Sequence, residues 1–376
     1  MSTYVDIHII QNLPPSCVNR DDSGSPKSAI YGGVRRLRVS SQSWKRAARL
    51  YFDDLLDASD VGVRTKRVAG VLAAKIAEDA PELTESALSL AEGVFKTAKI
   101  KLSPPRGKKN APQESGYLMF LSAGQIGRLA ELAITSARGG EALDARTVKK
   151  IFKEAHAVDI ALFGRMVADD TDLNVDAACQ VAHAISTHAA ENEYDFFTAV
   201  DDEKSRSEEE EDAGAGMMGT VEFSSATMYR YATVNLDMLV KNLGDGEAAL
   251  RALEVFIKGF CLSMPTGKQN TFANRTVPET VVVSVREDQP VSLVGAFEKP
   301  IPQDADHGYV DRSVESLVRY SSTIEENYGL RPLASLVVAL QDSEAVSSVG
   351  ERVSFADLPG RVRDIVAPRV PRQERA

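Results

Sequence analysis

Eight basic residues fall between positions 20 and 50 (Arg20, Lys27, Arg35, Arg36, Arg38, Lys45, Arg46 and Arg49) against two acids, Asp21 and Asp22. Cations at this density suit the holding of a polyanion without altering it. Lys45 and Arg49 are one helical turn apart and share a face of any helix that carries them, with Arg46 on the adjoining face. Positive charge in the first turns of a helix opposes the macrodipole, at a cost of up to about 1 kcal/mol per residue. A polyanion lying across the helix start relieves that cost. Free backbone N–H groups there, with Ser40, Ser41 and Gln42, then donate to phosphate oxygens. The competing reading is a helix whose basic side meets only water, and composition alone does not separate the two.

Covalent and metal chemistry has less to stand on. The chain contains no GxxxxGK[ST], GxSxG, HExxH or DxDxDG pattern. The five histidines, His8, His156, His183, His188 and His307, are scattered, and the spacing of His183 and His188 puts them on different faces of a helix. The adjacent carboxylate pairs at 21–22, 53–54, 169–170 and 201–202 are ordinary surface features. Asp22, beside the basic run, is the one carboxylate placed to assist RNA strand cleavage. No catalytic residue, metal ligand or cofactor is assigned.

The elements that must position the basic run are legible. Val5, Ile7 and Ile9 alternate with Asp6 and His8, which predicts a strand over 4–10 with one buried and one polar face. A Pro-, Ser-, Asp- and Gly-rich loop follows, then Gly32-Gly33 and a second strand over 36–40. Ser41 is predicted to cap a helix whose apolar stripe runs Trp44, Ala48, Tyr51 and Leu55. Residues 60–156 read as a helical insertion. Strand alternation returns at Thr220–Leu236, with Met228, Ala232, Val234 and Leu236 on one face and Tyr229 and Tyr231 on the other. Helices are predicted over Gly246–Ser263 and Val310–Asn327, strands over Thr280–Val285 and Leu333–Leu340, and a partly disordered tail over 352–376. The expected class is α+β: a small antiparallel sheet carrying a large helical insertion.

Whole-chain properties bound the setting. The 376 residues have 43% hydrophobic content, a mean hydropathy of -0.19 and a net charge of -10. No apolar run approaches the roughly 20 residues of a membrane span. Three scattered cysteines, Cys17, Cys179 and Cys261, and an N-terminus without a basic leader predict a cytoplasmic protein. The acidity is concentrated in DDEKSRSEEEED (201–212), where eight acids face two bases. The molecule therefore has a basic and an acidic pole.

Several long segments resemble one known family. PSCVNRDDSGSPKSAIYGGVRRLRVSSQSWKRAAR (15–49), VDIALFGRM (158–166), AHAISTH (182–188), DFFTAVDD (195–202), GTVEFSSATMYRYATVNL (219–236), GKQNTFA (267–273) and AFEK (296–299) follow in order the pattern of CasC, the backbone subunits of type I-E CRISPR Cascade. The resemblance implies a hand-shaped protein. Its palm carries a modified RRM-like (ferredoxin-like) antiparallel sheet, over 1–59, 156–187 and 232–350, with a helical finger at 60–155, a β-hairpin thumb at 188–231 and a tail at 351–376.

It also implies a role, that of a non-catalytic, RNA-binding subunit that stacks in helical copies on CRISPR RNA. The thumb displaces one nucleotide at intervals and so presents spacer segments to target DNA in antiviral defence. Implied partners are CRISPR RNA, further copies of itself, other Cascade subunits and target DNA through the guide, with no membrane. The resemblance places Arg20, Lys27, Gln42, Lys45 and Arg49 on the RNA backbone, Met166 against the bases beside the displaced nucleotide, and Phe197 and Thr198 at the same gap. Lys268 and Gln269 add backbone contacts, and Asn19, Ser40, Arg46 and Arg165 complete the expected RNA-binding set. Taken without the resemblance, Met166 reads as a core helix residue. The rival functions are an RNA-cleaving subunit using Asp22 and a solitary DNA-binding regulator.

Overall fold

The computed structural model describes residues 2–57, 60–105, 112–154, 156–167, 170–199, 217–304, 306–342 and 344–370. The acidic run at 201–212 lies outside them. Strand β1 (Tyr4–Ser16) runs through the middle of the main sheet. The sequence predicts a polar outer face for it, but Asp6 and His8 are as buried as Ile7 and Ile9. Helices cover both faces of the sheet, and that second layer is what the alternation could not reveal.

β2 (Ser28–Tyr31) and β3 (Val34–Val39) form a hairpin whose turn is Gly32-Gly33, with φ of 59° and 77°. Two consecutive left-handed residues suit the twist of a tight hairpin. A Cβ on Gly32 would also lie 1.6 Å from the Glu298 carbonyl oxygen, so this position admits only glycine. Helix α1 (Ser41–Phe52) follows directly. Its cap is Ser40 rather than Ser41: the Ser40 hydroxyl accepts from the Ser43 N–H. The buried stripe is Trp44, Ala47, Ala48 and Phe52; Tyr51 is only half-buried, and Leu55 lies beyond the helix end and is exposed.

β4 (Gly62–Thr65), α2 (Val68–Asp79), α3 (Ala87–Thr97), β5 (Leu102–Ser103), β6 (Glu114–Ser115), β7 (Met119–Ser122), α4 (Ala123–Gly139) and α5 (Ala145–Lys153) make a helical lobe with its own apolar core. Leu72, Ile76, Val94, Phe95, Leu129 and Phe152 are fully buried there, joined by Val167 and Leu173. The short helix α6 (Val158–Phe163) returns the chain to the sheet.

β8 (Cys179–Val181), β9 (Ala184–Ser186) and β10 (Glu193–Ala199) all pair with β11 (Met217–Asn235). β11 is long because it does two jobs. Its C-terminal half lies against β1, while residues 217–223 leave the sheet with β10 as a two-stranded ribbon. Then come α7 (Leu236–Leu243), α8 (Gly246–Leu262), α9 (Gln269–Phe272), β12 (Thr280–Arg286), α10 (Tyr309–Tyr328), β13 (Ala334–Ala339), α11 (Glu344–Val349), β14 (Glu351–Arg352) and α12 (Leu358–Val366).

The main sheet is larger than the sequence suggests. Its path is β14-β13-β12-β1-β11-β9-β3-β2, with β8 and β10 also on β11; among the described pairs only β13–β14 is parallel. One face packs Val5, Ile7, Ile9, Met228 and Val234 under α1 and α8, and the other packs Ile10, Tyr229 and Tyr231 under α10. The predicted assignment of Met228 and Val234 against Tyr229 and Tyr231 to opposite faces holds. The predicted disordered tail does not, as far as 370: Leu358, Val362 and Val366 of α12 are fully buried against α8 and the sheet. The sequence hides this because a nine-residue helix that itself contains Pro359, Gly360, Arg361 and Arg363 carries only one short apolar stripe.

Candidate nucleic-acid interface

The basic side of α1 opens onto a cleft of about 690 Å³ between that helix and the helical lobe. Gln42, Lys45, Arg46 and Arg49 form one wall; Arg64, Leu118, Phe120, Phe163 and Met166 are among those that line the remainder. The cations are held by rings rather than by acids. Lys45 Nζ lies 5.7 Å from the Phe163 ring centre and Arg49 Cζ 5.3 Å from that of Phe120. Such contacts orient a cation without neutralising it. Burial is the main cause that pulls the Arg49 pKa down, with Arg64 and Arg46 adding to it.

Along the other flank of α1 further cations gather, with Asp54 beside them. A second cleft of about 610 Å³ separates α1 from residues 263–275 and shares Arg46 with the first. Gly267 approaches so closely that a Cβ there would meet the Val18 carbonyl oxygen at 2.4 Å, which brings Lys268 beside the 18–24 loop. Arg20 and Asp22 are exposed on that loop, Lys27 is half-buried behind it, and Gln269 is exposed at the start of α9. Asp21 shapes the loop, accepting from the N–H groups of Ser23 and Ser25.

Among the described residues, none of Arg20, Lys27, Lys45, Arg46, Arg49, Arg64, Lys268 or Arg275 forms an ion pair, whereas Arg128, Arg138, Lys149, Arg361, Arg363 and Arg369 on other surfaces each do. Several exposed cations elsewhere, such as Arg146, Lys258 and Arg319, also have no ion pair among the described residues, so what marks this surface is that its open cations lie together, which presents a local site for anions on an acidic protein.

Other expected contact residues have different work. Asn19 accepts from the Ser40 N–H at 2.8 Å, so Asn19 and Ser40 together fix the start of α1. Arg165 points inward. Its guanidinium donates to the carbonyls of Leu173, Phe120 and Phe152 and to Gln125 Oε1, tying the lobe to the chain leaving α6. Arg36, counted in the basic run, is likewise buried, on the carbonyls of Tyr31, Ser186, Phe297 and Glu298. Met166, by contrast, is 78% exposed at the mouth of the cleft, which removes the core reading for it.

On the β10–β11 ribbon, Phe197 lies flat across Gly219, where a Cβ would meet its ring at 2.6 Å. Thr198 sits on the opposite face with Tyr194, Phe196 and Met218, all about two-thirds exposed. The ribbon base is fixed by Phe223 against Phe272 of α9, 5.9 Å between ring centres.

Sequence reasoning missed Arg64, Arg275 and His183. His183 Nδ1 accepts from the Ser41 N–H at 3.2 Å and lies 3.3 Å from Arg38, so the ring proton resides on Nε2. Burial, with Arg38 and Lys27, lowers its pKa, and the neutral ring is favoured. The only signal for Arg64 and Arg275 was their charge, which the lobe and the 263–275 turn convert into proximity.

Beneath Arg49 lies Asp159, fully buried, with Oδ1 accepting from Gly62 and Ile160 N–H groups and Oδ2 without a partner among the described residues. Burial pushes its pKa up from 3.8 to about 7, against the opposing pull of those bonds and Arg49. A raised folded-state pKa makes a stability contribution that is complete below the unfolded value and lost as pH rises towards 7. Wild type should therefore gain about 2 kcal/mol on Asp159→Asn between pH 8 and pH 5.5. Urea midpoints at the two pH values check this, and a pH-independent gap would refute the assignment.

Comparison with known proteins follows the same lines. The family described as CT1975-like protein matches residues 5–359. No curated protein matches the sequence. A chain of a structure described as a "CRISPR RNA-guided surveillance complex, pre-nicking" is 35% identical, with a TM-score of 0.85 over 96% of this chain and 99% of that one. A chain of a second "CRISPR RNA-guided surveillance complex" is 30% identical, with a TM-score of 0.74 over 96% and 99%. With nearly the whole sequence matched and the fold shared end to end, the chain belongs to the CT1975-like family.

Proposed function

We propose that the chain is a non-catalytic backbone subunit of type I-E Cascade. It binds CRISPR RNA by its sugar–phosphate backbone, assembles on it in helical copies, and displaces nucleotides with the β10–β11 ribbon, its thumb. Spacer segments are thereby presented to target DNA. The observation that carries this reading is the set of unpaired cations running from Arg20 and Lys268 past Arg46 to Lys45 and Arg49. Phosphate contacts of this kind hold any sequence, as a guide scaffold must. Both similar chains come from structures described as RNA-guided surveillance complexes.

The palm is read as a modified RRM. The succession β1-α1-β9-β11-α8-β12 with spatial order β12-β1-β11-β9 supports this. In an ordinary RRM, aromatics on the open sheet face stack on bases. Here His8, Tyr229 and Tyr231 on that face are buried beneath α10 and residues 291–301, so RNA is left to the cleft beside α1. A cytoplasmic setting is supported by three buried, free cysteines, Cys17, Cys179 and Cys261.

Co-expression of a tagged chain with its CRISPR locus, followed by sequencing of bound nucleic acid, tests the proposal. Processed CRISPR RNA carrying several copies of the chain is expected; random cellular RNA, or none, overturns it. The assembled complex, incubated with complementary RNA and a divalent metal, should leave that RNA intact. Periodic cuts that vanish in Asp22→Ala would replace the scaffold with the cleaving subunit, since Asp22 is exposed in a hollow with Asn19 and Arg20.

A further inference from the structure

We propose that the helical lobe supplies a second wall of the RNA groove, with Arg64 binding a backbone phosphate and Leu118, beside Met166, forming an apolar shelf for bases. This rests on the reading of the α1 cleft as the RNA site. It adds a contact surface from a part of the chain that otherwise looks like a structural insertion.

Arg64 of β4 lies directly across from Phe120 of β7, so their side chains share a face of that two-stranded ribbon. Phe120 is also the ring that holds Arg49. Arg49 over the Phe120 ring and Arg64 across the ribbon from Phe120 thus come together at one residue, and Arg64 acts on Arg49 as a like charge. Neither has an ion-pair partner among the described residues. The nearby carboxyl, Asp159, has its pKa raised by burial, which weakens it as a counter-charge. Like charges brought together by the fold repel one another, and an anion seated between them reverses the sign of that interaction. A phosphate of the strand lying along α1 is such an anion.

The apolar part of the same cleft has a matching explanation. Leu118 is 48% exposed and Met166 78%, both on the side opposite the α1 cations. Large exposed aliphatic side chains on the wall that carries Arg64 give the bases an apolar surface next to the cations that meet the phosphates. Every base has an apolar face, so such a shelf is sequence-tolerant while favouring the larger rings of purines.

The test uses the full chain and short oligo(A) and oligo(U) RNAs, with affinity followed by fluorescence anisotropy across a salt series. Arg64→Gln should weaken both RNAs about fivefold and reduce the slope of log K against log [salt] by about 0.7, the value for one lost contact to a single strand. Leu118→Ser should leave the slope unchanged and weaken oligo(A) more than oligo(U), narrowing the difference between them. Both positions are exposed, so unchanged melting temperatures are expected. If Lys45→Ala weakens binding while Arg64→Gln and Leu118→Ser change neither affinity nor slope, the second wall is overturned and the α1 site stands. Equal loss on both RNAs with Leu118→Ser removes the shelf. No effect from any of the three variants removes the α1 site itself.

Discussion

Replacing Lys45 and Arg49 together by alanine should weaken RNA binding by at least about 150-fold near physiological salt, by the same factor on unrelated spacers. A hydrogen bond to a charged group contributes about 1.5–3 kcal/mol, and two are removed. The slope of log K against log [salt] should fall by about 1.4, two single-strand phosphate contacts. Both side chains rest on rings at the edge of the cleft, so their loss leaves the buried stripe of α1 intact. Circular dichroism should match wild type, and a small drop in melting temperature traces to Arg49, which sits on the Phe120 ring beside buried Asp159. A loss confined to one spacer would mean that these residues read bases, and an unchanged slope would mean that they touch no phosphate.

What was legible beforehand follows from how far apart the cooperating residues lie. Lys45, Arg46 and Arg49 share one helix, so spacing alone places them together. Arg64 reaches the same cleft only because β4 pairs with β7, more than fifty residues later in the chain, and no local pattern encodes that. Met166 and Arg165 are neighbours with opposite fates. The isolated bridge between Arg165 and Val175 turns one outward and lets the other bond the carbonyls of the lobe.

The burial of Asp6 and His8 was hidden for a related reason. Alternation reports that two faces differ, and says nothing of whether α10 will cover the second. Ser40, not Ser41, caps α1 because Asn19 Oδ1 takes the Ser40 N–H across the loop, again a contact between distant residues. The acidic segment at 201–212 lies outside the described residues, while the pairing of Phe197 with Gly219 gives a structural reason for the glycine in GTVEF.

Arg286→Ala should cost about 3–5 kcal/mol of stability and leave RNA affinity at room temperature unchanged. Asp6 accepts from Arg286 Nε at 3.0 Å, the Val291 N–H at 2.9 Å and the Tyr231 hydroxyl at 3.0 Å, all in a fully buried setting. Breaking a buried pair by removing one member strands the other charge, which is what makes the loss large. Burial already raises the Asp6 pKa, with Arg286 among the groups that oppose it. Without the arginine the pKa rises further, and the carboxyl takes up a proton on folding. A folded-state pKa above the unfolded one means stability that is lost as pH rises, so the variant should recover part of its deficit between pH 8 and pH 5.

Thermal melts should show a drop on the order of 5 °C at neutral pH for a domain of this size. Hydrogen exchange should quicken first at Val291 and Leu293, whose N–H groups bond Asp6 and Tyr229. The proposed RNA cleft lies beside α1, on the opposite face of the sheet from this network, and α1 makes none of these bonds. If affinity falls in step with stability, the two faces are coupled, and the sheet's covered aromatics take part in RNA binding after all.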